Sequence, residues 1–147
     1  MTISLNSGEP SKMRTGGKPF FLEASIQFMV EERRAGRDGR PIPRSERYKV
    51  STKGYMYTIT TEDSQEVLGF HWHPGREAVD EPHLHVGTVN LVQGAPITRK
   101  QHIMVGRVAF EDVLGTLMQM GVVPSKVIAP QVLETNLDTF KRYRTWS

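Results

Sequence analysis

From Phe20 to Glu31 the chain alternates. Phe20, Leu22, Ala24, Ile26, Phe28 and Val30 take every second position, and Phe21, Glu23, Ser25, Gln27, Met29 and Glu31 fall between them. Successive side chains of a β-strand point to opposite faces, whereas a helix repeats every 3.6 residues. A period of two held over this length predicts one long, half-buried strand, of the kind found in antiparallel sheets with one face on the core.

The same signal recurs. Residues 46–52 alternate through Tyr48 and Val50, Lys53-Gly54 reads as a tight turn, and residues 55–61 resume with Tyr55, Tyr57 and Ile59 in phase. Glu62-Asp63-Ser64 is the next turn, residues 67–73 form a fourth strand, and residues 83–87 begin a fifth after a loop bounded by Pro74 and Pro82. The pattern then turns helical. Phe110, Val113, Leu114, Leu117 and Met118 follow the i, i+3, i+4, i+7, i+8 spacing, with Glu111 and Asp112 in the first turn and Gly121 as the stop. A second helix is expected from near Pro130 to Arg142, with a stripe of Leu133, Leu137 and Phe140. The reading is therefore α+β: an antiparallel five-stranded twisted sheet with two C-terminal helices packed on one face. Residues 1–18, rich in Gly, Ser, Thr, Lys and Pro, are expected as a flexible N-terminal tail, and 19–147 as a single α+β domain.

The strand reading gives the histidines their meaning. Four of the chain's five histidines form two His-x-His pairs, His71/His73 and His83/His85, and His102 follows. Residues two apart on a strand share a face, so each pair sets both imidazoles on one side while Phe70, Trp72, Leu84 and Val86 take the other. If the two strands pair as a hairpin closed symmetrically by the 74–82 loop, His73 faces His83 and His71 faces His85. The four imidazoles then form one patch.

Three chemistries fit such a patch. Histidine titrates near neutrality, so His83 and His85, helped by His71 and His73, can act as acid and base in metal-independent RNA cleavage through the 2′-hydroxyl. Arg76, Arg99, Lys100, His102 and Arg107 are the candidates to bind RNA phosphates. That reading needs no cofactor. Alternatively, His71, His73, His83 and His85, with Glu77, bind a divalent transition metal, since neutral imidazole is the commonest metal ligand. His71-x-His73-x₃-Glu77 has the spacing of the first cupin metal motif. The displaced Asn90, the short gap between motifs and the helical C-terminal part argue against a cupin barrel. The third reading is a non-catalytic RNA- or protein-binding module. A structural role for the histidines, as half-exposed hydrogen-bonded strand residues, is the remaining alternative.

Charge bears on the choice. The net charge is +3, and Arg33, Arg34, Arg37, Arg40, Arg44 and Arg47 fall in one short stretch that reads as a basic loop. If it lies near the histidines, a polyanion such as RNA is the natural partner; otherwise it is a solvated surface. The absence of cysteine excludes disulfides and thiolate metal sites. No apolar run approaches the roughly 20 residues of a membrane span, and the N-terminus lacks an apolar signal core. A cytoplasmic location without membrane association is the expectation.

The segments FHWHP (70–74), PHLHVG (82–87) and GRVAFEDVL (106–114) resemble the TumE-like toxins of bacterial toxin–antitoxin systems, over roughly residues 46–120. The resemblance implies a small α+β ribonuclease toxin restrained by a cognate antitoxin protein. It carries the family's histidine motif onto His83 and His85. The chain departs from that pattern in its N-terminal extension and Arg-rich loop, and in Ala109, where a Ser or Thr helix cap is expected.

Overall fold

The computed structural model describes residues 1–33, 35, 41–44, 47–75, 79–87, 89, 91, 96–97 and 101–146, the last four of these by their backbone. Two short strands, β1 (Thr2–Ser4) and β2 (Ser11–Met13), lead into the long strands β3 (Phe20–Glu32) and β4 (Tyr48–Thr60). Next come β5 (Glu66–Trp72), β6 (His83–Val86) and β7 (Ile103–Met104). Helices α1 (Phe110–Gln119) and α2 (Ala129–Tyr143) follow, and β8 (Arg144–Trp146) closes the chain. The fold is α+β. One sheet runs in the order β1-β3-β4-β5-β6-β7, with β2 also on β3 and β8 also on β4. Among the described residues no helix is long and apolar enough to cross a membrane.

Among the described residues the sheet has eight strands rather than five: two expected strands merge into one, and β1, β2, β7 and β8 are added. Residues 46–52 and 55–61 are one strand, not two. At the expected turn the register steps from Gln27↔Gly54 to Phe28↔Thr52, so Lys53 is an extra residue in a β-bulge. Gly54 is needed there, because a Cβ would stand 2.8 Å from the Trp72 carbonyl oxygen. The N-terminal residues, expected as a flexible tail, run along β3: Thr2–Ser4 pair with Ser25–Gln27, and Ser11–Met13 with Phe20–Leu22. A polar composition does not prevent this, since strand pairing needs only backbone donors and acceptors. β8 fills the edge of β4 beyond the reach of β5, pairing in parallel at Val50–Thr52.

The core lies on one face. Leu22 and Ala24 from β3, Tyr55, Tyr57 and Ile59 from β4, and Val67 and Trp72 from β5 are buried against Val113 and Leu117 of α1. Burying each large apolar side chain contributes roughly 1.5–3 kcal/mol. The tyrosines do more than fill space. Tyr55 and Tyr57 stack at 4.9 Å, and the Tyr55 hydroxyl oxygen accepts a hydrogen bond from the Val108 N–H at 3.0 Å. That bond anchors the approach to α1 onto the sheet. Ala109 caps α1 without a side-chain oxygen, and its N–H donates to the Asp112 carboxylate at 3.0 Å. Gly121, with φ of 95°, ends the helix region as expected.

Candidate functional site

The opposite face of the sheet carries the histidines. Alternation places His71 on the face away from Phe70 and Trp72, and the hairpin brings β6 beside it. His71 pairs with His83 and Gly69 with His85, two residues from the symmetric register. A shift of two keeps every side chain on its face, so the patch survives. A Cβ at position 69 would stand 3.0 Å from His71 Nε2, so the bare glycine opposite His85 leaves room for the His71 ring.

His102 joins the cluster. β7 pairs with β6 at His83↔Met104, and extending that register by two residues sets His102 across from His85. The rings confirm it: His85 and His102 stack at 4.8 Å with planes 1° apart, and His83 and His102 stack at 4.5 Å. His71 lies 4.5 Å from His85, and His73 lies 5.2 Å from His83. All five histidines of the chain are thus in one assembly.

His83 is its centre. It is fully buried, and its Nδ1 lies 2.8 Å from the Glu81 carbonyl oxygen. A carbonyl only accepts, so Nδ1 carries the proton and Nε2 holds the lone pair. That Nε2 is buried and has no hydrogen-bond partner among the described residues. Two sets of three share this ring: His71, His73 and His83, and His83, His85 and His102. Within each, one ring nitrogen per histidine lies within 4.8 Å of the others. Ligands about 2.0–2.1 Å from a tetrahedral ion stand about 3.4 Å apart. Small side-chain rotations therefore close either set.

The surroundings act most strongly on His71. Burial pushes His71 down to about 4, helped by the neighbouring imidazoles of His85, His83, His73 and His102. His71 Nε2 lies 3.5 Å from the Thr58 hydroxyl, and His85 Nδ1 lies 3.9 Å from Glu66 Oε1. Neither Thr58 nor Glu66 was singled out from the sequence. Thr58 comes from β4, beside His71, and Glu66 from β5, beside the His85 strand, and only the register reveals them.

A cavity of about 350 Å³ adjoins the cluster. Ser25, Gln27, Met56, His71, His73 and His85 line it, with Tyr55 and Trp72 at its back. Of the predicted phosphate ligands, His102 joins the cluster, and Arg107 sets its guanidinium 4.3 Å from the centre of the Trp72 ring. Arg76, Arg99, Lys100 and the alternative metal ligand Glu77 lie outside the described residues, as do Arg34, Arg37 and Arg40 of the basic loop. No family model, curated protein or solved structure matches the chain.

Proposed function

We propose that the protein is a histidine-ligated metalloprotein that binds one divalent transition-metal cation in its five-imidazole cluster. The observation that carries this reading is the buried Nε2 of His83. A buried polar atom left without a partner costs about 1–3 kcal/mol, and a metal ion meets that need. The Glu81 carbonyl bond to the other ring nitrogen is the outer-sphere contact that orients metal-bound histidines. An all-imidazole set suits Zn²⁺, Ni²⁺, Cu²⁺ or Fe²⁺ over Mg²⁺ or Ca²⁺. His83 offers a single donor atom, so the two sets that share it compete for one ion. Bound there, a divalent ion acts as a Lewis acid and lowers the pKa of coordinated water.

The test is metal content and titration of untagged protein. One equivalent of Zn²⁺, Ni²⁺ or Co²⁺ per chain is expected, with His83→Gln weakening binding at least tenfold while circular dichroism stays unchanged, and the larger loss of the two in His73→Ala and His102→Ala marking the set that holds the ion. Folded protein that binds none of these ions overturns the reading.

One observation favours the metal-independent ribonuclease of toxin type. His85 keeps 21% of its side-chain surface and stands beside Glu66, which resembles a base held by a carboxylate. The burial of His83 weighs the other way, since an acid or base must touch its substrate. RNA cleavage in excess EDTA, leaving 2′,3′-cyclic phosphate ends and lost in His85→Ala, would establish the ribonuclease; an antitoxin partner would then be sought. No cleavage in EDTA by folded protein removes it.

A further inference from the structure

We infer that the cavity beside the histidines is the binding site of a small monocarboxylate that ligates the metal. The inference rests on the metal reading above. His71 and His73, two of the three ligands in the first set, line this cavity together with His85. An ion held by that set therefore has the cavity as its neighbour, and a molecule inside can supply a further ligand.

Three features define the occupant. The first is size: about 350 Å³ is near the lower end for ligand pockets. The second is charge. Neutral imidazoles leave the ion's two positive charges uncompensated, and among the described residues the carboxylate at the cluster is Glu66, beside His85. One further negative charge completes the balance. The cavity wall contains no lysine or arginine among the described residues. The described residues of the wall thus present no guanidinium fork of the kind a phosphate dianion usually meets. The third is shape: Ser25 and Gln27 offer a hydroxyl and a carboxamide from β3, and Met56 offers an apolar wall from β4. A carboxylate can bind the metal through one oxygen and accept a hydrogen bond at the other, with a short apolar body against Met56.

Full-length protein loaded with Co²⁺ tests this, because the visible bands of Co²⁺ respond to each change of ligand. Acetate and propionate should shift the bands saturably. Gln27→Ala and Ser25→Ala should weaken that shift at least fivefold while leaving Co²⁺ affinity unchanged. Failure to load Co²⁺ overturns the metal reading itself. Loading without a carboxylate response overturns only the present inference. So does inorganic phosphate binding as tightly as acetate, or a response that survives both substitutions.

Discussion

The two faces of one sheet are built from the same strands and behave differently. On the helix side, Leu22, Tyr57, Ile59, Val113 and Leu117 interlock with at most 1% exposure, and each needs only a neighbour of the right volume. On the histidine side each ring nitrogen needs a matching donor, acceptor or ion, and His83 is as deeply buried as any core residue with no partner for Nε2 among the described residues. Apolar burial is non-directional and tolerates swaps that conserve volume. A polar cluster gains only when every donor and acceptor is matched. The sheet therefore sets its apolar core and its histidine cluster on opposite faces.

The sharpest way to break this comparison is to empty the core. Tyr57→Ala should cost about 3–5 kcal/mol, read as a lower urea midpoint, while the surviving folded protein still binds metal with unchanged stoichiometry. Loss of metal binding in proportion to folded protein fits; selective loss would show that the faces are coupled. The next effect belongs to the other face. A metal concentration 100-fold above its dissociation constant should add about 2.7 kcal/mol, which for a domain of this size raises Tm by about 5–10 °C. EDTA should reverse the shift, and Ca²⁺ should give none.

Two smaller effects sharpen the boundary. Glu66→Gln removes the carboxylate beside His85 and should weaken metal affinity roughly tenfold, as outer-sphere changes do, with the unfolding midpoint of metal-free protein unchanged. Glu32→Gln breaks the exposed pair with Arg47, whose Nη2 lies 2.6 Å from Glu32 Oε1. Screened surface pairs contribute little, so neither the midpoint nor the affinity should move.

What the sequence disclosed follows the same division. Alternation from Phe20 and the spacing of Phe110, Val113 and Leu117 are local periodicities, and the fold class followed from them. The two His-x-His pairs announced a shared face for the same reason. Pairing partners are non-local, and there the reading went astray. Gly54 looked like a turn because a bulge and a turn use the same residue. The tail looked flexible because strand addition leaves no mark on composition. His102 was grouped with the basic loop residues because nothing nearby shows that it is two residues ahead of the partner of His83. Gly69 and Glu66 were silent for the same reason: their roles exist only once β5 and β6 are aligned.

The hydrogen bond from His83 to the Glu81 carbonyl has a spectroscopic consequence. The ring proton on Nδ1 is buried and held at both ends, so its exchange with water should be slow. It should then give a sharp downfield proton resonance correlated with one imidazole nitrogen, while its companion nitrogen reports on whatever occupies the lone pair. The molecule would carry its own label at the centre of the cluster, one that stays in place as the ion arrives and whose nitrogen shift records the arrival.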